Sequence, residues 1–234
     1  GIVLSTVTDT NLFELTEISK YAEKHGFSTV YINEGKGDAI SLATAIALKT
    51  KSISVGTNIA NIYFRHPYLA ANSIRFLADS SDGRARIGFG ISHRDLLKTL
   101  GIDMGHARQF LRQYIQDVQL SLQGTSNKGF LSTEKAKHHT PIFVAANTLE
   151  TAELAGSVGD GIMPYLSPIS SISTLVSAAK KKAASAKSAA PSPQVDAATL
   201  AAIQATAEWT CVACTMRNPL SAGKCGTCGT ERVI

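Results

Sequence analysis

Residues 53–73 read ISVGTNIANIYFRHPYLAANS and contain a complete strand-to-helix unit. The β-branched run Ile53–Thr57 predicts a buried strand. Pro67 stands where a helix opens, because the N–H that proline lacks has no partner in the first helical turn. The residues that follow keep a helical period to Leu77. The same succession recurs on both sides of this stretch, so the sequence predicts an α/β fold of βα units around a parallel sheet.

Five further runs predict strands at similar spacing, with helical periods between most of them. They are residues 2–6, 29–33, 85–90, 141–146 and 161–165. Residues with capping side chains precede several of the helical periods, Asp38 before the second and Thr148 before the one that ends at Val158. The sequence thus predicts about six βα units by residue 168.

The composition indicates a globular chain with an appended tail. Of 234 residues, 44% are hydrophobic and 18% are charged. The first residues do not resemble a signal peptide, and no apolar run reaches the ~20 residues of a membrane span. We therefore expect no membrane partner and a cytoplasmic location, with the nucleus as an alternative. The predicted domains are an α/β barrel over residues 1–176, an Ala/Lys/Ser-rich linker over 177–207 and a small module over 208–232.

Four stretches of the first 168 residues resemble the luciferase-like monooxygenases. They are residues 14–34, 53–73, 82–92 and 141–164. The resemblance implies a (β/α)8 TIM-type barrel with FMN or a deazaflavin at the carboxyl ends of its strands. The resemblance stops after the sixth strand, which predicts an incomplete barrel with open edges. A homodimer is one way to cover such edges.

The same resemblance assigns cofactor contacts, position by position, to the ends of the third, fourth and fifth strands. They are Asn58, Gly88, Gly90, Ile91, Ser92, Ala146, Asn147 and Thr148. The glycines would let the ring approach the backbone, or serve only barrel packing. The helix start after the fifth strand would receive a cofactor phosphate, or Asn147 and Thr148 would be a plain cap. The catalytic residues stay unassigned.

One position departs from the family pattern. Many relatives carry an acidic residue followed by histidine after the second strand, whereas Glu34 is followed here by Gly35. The imidazole that would face the ring is therefore missing. His66, His93 and His106 are candidates for polar groups near the mouth of the barrel.

The tail contains every cysteine of the chain, arranged as two C-x-x-C pairs ten residues apart: Cys211, Cys214, Cys225 and Cys228. Two thiolate pairs at this spacing can close a tetrahedral Cys₄ zinc site. A segment this short buries little apolar surface, so the metal would supply its folding free energy. Two disulfides are the alternative, which the absence of secretory features disfavours.

Residues 208–232 also resemble the small zinc finger shared by nucleoporin Ran-binding proteins and ubiquitin readers. Trp209, the four cysteines and Asn218 meet its pattern, W-x-C-x₂-C-x₃-N-x₆-C-x₂-C. The resemblance implies that ubiquitin or another protein binds through Thr215, Met216 and Thr227. Single-stranded RNA is a less favoured ligand, because the paired arginines of the RNA-binding members are missing.

Two functions follow from these resemblances. In the first, the chain is a flavin- or deazaflavin-dependent oxidoreductase or monooxygenase fused to a zinc-binding interaction module. In the second, the barrel is a scaffold, and the chain is a non-catalytic adaptor whose zinc finger binds ubiquitin or, less favourably, RNA. Retention of the cofactor distinguishes the two.

Overall fold

The computed structural model describes residues 1–6, 11–125, 134–189, 208–210 and 217–219. The chain divides into two compact units, residues 1–188 and residues 189–234. In the second unit the described residues form two short antiparallel strands, Glu208–Thr210 and Arg217–Pro219, in which Trp209 pairs with Asn218.

The first unit alternates strands and helices, as its periodicity predicts. Its strands are β1 (Ile2–Leu4), β2 (Thr29–Ile32), β3 (Ser54–Asn61), β4 (Ala85–Gly90), β5 (Ile142–Ala145) and β6 (Gly161–Met163). Its helices are α1 (Leu12–Lys24), α2 (Ala39–Ala47), α3 (Pro67–Ser80), α4 (Arg94–Thr99), α5 (Ala107–Leu122), α6 (Leu149–Val158) and α7 (Ile169–Ala189). The strands of the second unit are β7 (Glu208–Thr210) and β8 (Arg217–Pro219).

The six strands form one sheet in the order β1-β2-β3-β4-β5-β6, and every neighbouring pair is parallel. Each crossover moves one strand in the same direction. Because such crossovers are right-handed, they place the helices on one face of the sheet. This order is that of an arc of a (β/α) barrel, which confirms the predicted α/β fold. Within the described residues, β1 and β6 are edges, and Val3 on β1 is 51% exposed.

The main core lies between the sheet and its helices. Alternate residues of each strand point toward the helices, so Val30 and Ile32 of β2 and Ile87 and Phe89 of β4 are almost completely buried. Phe89 meets Tyr114 of α5 edge-to-face, with ring centroids 5.3 Å apart. This two-residue alternation fixes the register, because a one-residue slip would expose the entire apolar set.

Strand β3 extends further than the sequence predicts, to Asn61 instead of Thr57. The register between β3 and β4 shifts between Thr57 and Ala60. At the shift the buried Thr57 hydroxyl donates to the Gly88 carbonyl at 2.9 Å and accepts from the Gly88 N–H at 3.1 Å. This side chain therefore satisfies the backbone groups that the shift would otherwise leave unpaired.

Helix α7 covers residues 169–189 and so runs across residue 177, where the sequence places the start of the linker. Leu175 and Ala179 are 4% and 8% exposed, whereas Ile169 is 89% exposed. Ala179 lies against Gly156 of α6, where a Cβ atom would come within 2.0 Å of the Ala179 carbonyl oxygen. Small residues at this contact let the two helices approach closely. None of the helices in the described part of the chain is both long and apolar enough to cross a membrane.

Candidate cofactor site at the carboxyl ends of the strands

The eight residues to which the resemblance assigns cofactor contacts lie in the carboxyl-terminal halves of β3 and β4 or directly after β4 and β5. These three strands are neighbours in the sheet. A Cβ atom added at Gly90 would lie 3.0 Å from the Ala145 Cβ of β5 and 3.0 Å from the Ile59 Cγ1 of β3. The ends of the three strands are therefore in contact, as a single cofactor site requires.

Two polar side chains at this end have no hydrogen-bond partner among the described residues. Asn58 and Ser92 are both half-buried, and Ile91 beside them is half-buried as well. The peptide bond between Asn58 and Ile59 is cis, and Ser92 adopts a left-handed conformation with φ of 59°. Left-handed non-glycine residues cluster at ligand sites, where the surrounding structure supports their strain. The Asn58 amide and the Ser92 hydroxyl are available as hydrogen-bonding groups for a ligand.

The glycines of β4 are explained in part by packing. A Cβ atom on Gly88 would come within 2.3 Å of the Met163 sulfur and 2.6 Å of the Thr57 carbonyl oxygen. The close approach of the Thr57 carbonyl and of the Met163 side chain thus explains Gly88, whether or not a ring lies above it. Its predicted role toward a cofactor stays a prediction, as does that of Gly90.

The residues after β5 are engaged in local contacts. The Asn147 amide bridges the ends of β5 and β6, donating to the Tyr165 carbonyl at 2.8 Å and accepting the Tyr165 N–H at 2.8 Å. Thr148 caps α6 in a capping box with Thr151. Ala146 is 2% exposed, in a small cluster with α6 and α7. The start of α6 is exposed, but Thr148 already accepts the Thr151 N–H at 3.3 Å, so the first turn is only partly open to an anion.

A buried ion pair lies directly behind the end of β3. The Glu34 carboxylate follows β2, and the Arg65 guanidinium grips both of its oxygens, with Nη1 at 3.1 Å from Oε2 and Nη2 bonded to Oε1. The exposed fractions of the two side chains are only 3% for Glu34 and 7% for Arg65. Glu34 also accepts the backbone N–H groups of Asn61 and of Ala39. This carboxylate therefore links β2, β3 and α2.

The electrostatics of the pair extend to a buried tyrosine. Burial by itself lowers the pKa of Arg65, but the Glu34 hydrogen bond and charge outweigh it, so that this pKa is raised. Burial also raises the pKa of Tyr114, partly offset by the positive charge of Arg65. The Tyr114 hydroxyl and the Asn61 side-chain nitrogen are buried without a hydrogen-bond partner in the described part of the chain. Tyr114 is therefore a neutral phenol next to the charged Glu34–Arg65 pair.

An open cavity lies beside α4. Its lining consists of Arg94, Lys98, Gly101, Ile102, Asp103 and Met104. The Tyr63 hydroxyl, two residues beyond the end of β3, donates to the Met104 carbonyl at 2.7 Å and so attaches the cavity wall to the site. With two cations against one carboxylate, the cavity favours an anionic group.

The position of the missing imidazole is closed by the backbone. A Cβ atom on Gly35 would lie 2.8 Å from the Thr6 hydroxyl and 3.0 Å from the Thr6 carbonyl carbon. Thr6 is held there because its N–H donates to the Asn33 side chain at 2.7 Å. A side chain at residue 35 would require this contact to open. The absence of histidine after Glu34 is thus matched by the local packing.

The three candidate histidines share one position relative to helices. His66, His93 and His106 are the N-cap residues of α3, α4 and α5. His66 accepts the Tyr68 N–H through Nδ1 at 3.2 Å. Helix capping is therefore sufficient to explain His66.

The residues that sequence reasoning missed are Arg65 and Asn61, whose partner Glu34 lies about thirty residues away in the chain.

The predicted zinc ligands Cys211, Cys214, Cys225 and Cys228 lie outside the described residues, as do Thr215, Met216 and Thr227. Strand β7 ends directly before Cys211. Elsewhere, the described part of the chain contains no group of three or more His, Cys, Asp or Glu that could hold a metal. The zinc site and its protein ligand stay predictions.

Comparisons with known proteins agree with this geometry. The model of the luciferase-like monooxygenase family matches residues 3–209, and so continues beyond residue 168 through α7. The 5,10-methylenetetrahydromethanopterin reductase of Methanolobus tindarius is 30% identical over 201 residues, which are 81% of this chain and 61% of that protein. The chain therefore spans about three fifths of the length of this relative.

Two solved structures share the fold. One is a coenzyme F420-dependent tetrahydromethanopterin reductase from Methanopyrus kandleri, with a TM-score of 0.68 and 20% identity over 80% of this chain and 61% of the other. The second is an F420-dependent secondary alcohol dehydrogenase in complex with an F420–acetone adduct, with a TM-score of 0.69 and 18% identity over 79% and 63%. The match of the family model to most of its length shows that this chain belongs to the luciferase-like monooxygenase family.

Proposed function

We propose that this chain carries the cofactor-binding part of a flavin- or deazaflavin-dependent oxidoreductase. One observation supports this most strongly. The polar residues that the family resemblance assigns to the cofactor lie at the carboxyl ends of three adjacent parallel strands, where barrel enzymes bind their ligands. Family membership alone gives only the class of chemistry, because one fold hosts many reactions.

The side chains present fit a tricyclic ring and its anionic tail. The Asn58 amide and Ser92 hydroxyl, half-buried and without described partners, would hydrogen-bond to the polar edge of the ring. The exposed start of α6, where Thr148 leaves part of the first turn unbonded, and the cationic cavity beside Arg94 would accept the anionic groups. When bound, such a cofactor supplies hydride or oxygen chemistry. The chain binds, orients and shields it.

Between the two cofactors, a deazaflavin of the F420 type is the first to test. Both solved structures described above are named as F420-dependent proteins. FMN remains the alternative within the same family. The substrate reduced or oxidised follows from neither comparison, because the chain spans only part of each relative.

The proposal is tested by titrating a deazaflavin and FMN into the purified chain and recording the absorbance and fluorescence of the cofactor. We expect saturation with one of them at micromolar concentration, an affinity of about 8 kcal/mol. The test variant is Asn58→Ala, which removes a predicted hydrogen-bonding group outside the core and should weaken binding. Absence of saturation up to about millimolar with both cofactors would contradict the proposal.

The zinc module is proposed on the cysteine spacing and on the resemblance of residues 208–232 to a small zinc finger. We propose that the four cysteines hold one zinc ion and that the module recruits ubiquitin or another protein through Thr215, Met216 and Thr227. Metal analysis should give one zinc per chain, which Cys225→Ser abolishes. If ubiquitin shifts no NMR resonance of the zinc-loaded chain, or Met216→Ala binds as well as the wild type, ubiquitin is the wrong partner.

The adaptor remains a second candidate, favoured by the completeness of the cysteine pattern against the six strands of the sheet. It predicts zinc and ubiquitin binding without retention of either cofactor.

The exposed edges β1 and β6 further support the proposal that a second copy of the chain covers the sheet, which sedimentation would show as a dimer. A cytoplasmic or nuclear location and the RNA alternative stay predictions.

A further inference from the structure

The carboxyl end of β3 is held by Glu34, the residue that follows the neighbouring strand β2. After the register shift at Thr57, the Asn61 N–H donates to the Glu34 carboxylate, and the Glu34 N–H donates to the Ile59 carbonyl at 3.3 Å. Glu34 thus contacts the 58–63 segment through both its backbone and its side chain. That segment begins with Asn58, the residue expected to face the cofactor.

Arg65 fixes the carboxylate in the orientation that this contact requires. Its planar guanidinium engages both oxygens, a fork-to-fork geometry that allows little rotation. Asp38 provides a second, weaker contact to Arg65 at 3.4 Å. Because Arg65 itself follows the 58–63 segment in the chain, the pair ties both ends of the segment to one rigid point.

Such a pair is poorly explained as a source of stability. Burying two charges costs nearly as much free energy as their attraction returns, and apolar residues of the same volume often serve equally well. Apolar residues would, however, leave the Asn61 N–H without an acceptor. The arrangement therefore gives the segment a defined position more than it gives the fold additional stability.

We propose that Glu34, oriented by Arg65, is a positioning residue that sets the 58–63 segment in the conformation that receives the cofactor. This inference rests on the proposed function for the identity of the ligand. Neither residue touches the cofactor. They act through the backbone of the segment.

The opposite end of β3 offers a matched control. Glu23 accepts the consecutive N–H groups of residues 51–53, at 2.8, 2.6 and 3.0 Å, directly before the strand begins. Glu23→Gln therefore removes a carboxylate that binds backbone N–H groups, as Glu34→Gln does, but at the end of the sheet away from the proposed site.

The experiment compares wild type, Glu34→Gln, Glu23→Gln and the double variant Glu34→Gln/Arg65→Met. The double variant removes both charges, so we expect it to fold even if Glu34→Gln alone leaves Arg65 unpaired and unfolds the chain. For each protein, two quantities are measured: deuterium exchange of peptides covering residues 51–54 and 58–63, and the Kd of the cofactor that binds wild type.

We expect Glu34→Gln, or the double variant, to accelerate exchange at 58–63 and to weaken cofactor binding about tenfold or more, since small displacements of a positioned group are costly. Glu23→Gln should accelerate exchange at 51–54 and leave the Kd unchanged. Equal loss of affinity in both single variants would mean a general loss of stability and would overturn the proposal.

The two proposals fail in different ways. A wild-type chain that binds neither cofactor contradicts the proposed function. If deuterium exchange at residues 58–63 is as slow in the folded Glu34 variants as in wild type, the positioning role is contradicted, whatever the cofactor result. Wild-type affinity in those variants contradicts it as well.

Discussion

The two ends of strand β3 use the same chemical device in different surroundings. At the amino end, the Glu23 carboxylate collects three consecutive N–H groups, and Arg84 binds the Thr50 and Ala47 carbonyl oxygens at 3.1 and 3.2 Å. At the carboxyl end, Glu34 collects the Asn61 N–H and Arg65 binds Glu34 itself. Each end thus has one glutamate and one arginine.

The difference lies in what each arginine does. Arg84 binds backbone carbonyl groups and leaves the Glu23 carboxylate partly exposed to water. Arg65 is committed to a buried carboxylate, at a cost in desolvation that stability alone does not justify. In barrel enzymes the amino end of the strands serves stability and the carboxyl end serves function. The desolvation free energy of the buried Glu34–Arg65 pair, at the carboxyl end of β3, agrees with that division.

The largest effect is expected for Arg65→Met. It leaves the Glu34 carboxylate buried at 3% exposure without its cation, and breaking a buried pair in this way costs about 3–5 kcal/mol. Urea unfolding measures this loss. The double variant Glu34→Gln/Arg65→Met should recover most of it. If Arg65→Met is as stable as wild type, the pair is not buried in solution as described.

A smaller loss is expected for Gly88→Ala. The new methyl group would overlap the Met163 sulfur and the Thr57 carbonyl, and overpacking of this kind costs about 1–3 kcal/mol. Gly37→Ala is the control, because its methyl group meets only the flexible end of Leu42. Equal unfolding midpoints for the two variants would show that the carboxyl end of β4 is more open than it is here.

A loss of about 1 kcal/mol is expected for Glu23→Gln, which keeps one acceptor oxygen but loses the charge that strengthens the hydrogen bonds of residues 51–53. Solvent screening keeps the effect small. Thermal unfolding should register this loss while the cofactor Kd stays at the wild-type value. A change of Kd would contradict the division of roles between the two ends.

The pH dependence sharpens the same comparison. Burial raises the pKa of Glu23, but hydrogen bonds from the backbone of residues 51–53 and from the Ser52 hydroxyl lower it from 4.5 to about 2. A carboxylate with a depressed pKa stabilises the fold fully above about pH 4.5, and this contribution declines as the pH falls toward 2. Urea midpoints between pH 7 and 3 should therefore fall less steeply in Glu23→Gln than in wild type. Parallel slopes would argue against the Glu23 contacts.

The sequence predicts the six strands because each is a short β-branched or apolar run between helical periods. Their succession in the sheet is implied only by the resemblance to a barrel family. It misses the second half of β3, because Asn58 and Asn61 interrupt the apolar run after Thr57. The contact that holds this half, between Glu34 and Arg65, joins residues far apart in the chain and has no local signal. Helix α7 runs on past residue 177, where the sequence shows no clear apolar stripe, since small residues such as Ala179 bury little area.

The most direct test is deuterium exchange of the wild-type chain with and without saturating deazaflavin or FMN. The account predicts that the bound cofactor slows exchange at residues 58–63 and in the peptide containing Ser92, and leaves residues 51–54 at the amino end of β3 unchanged. Saturable binding that protects residues 51–54, or that leaves residues 58–63 unprotected, would contradict the placement of the site at the carboxyl ends of the strands.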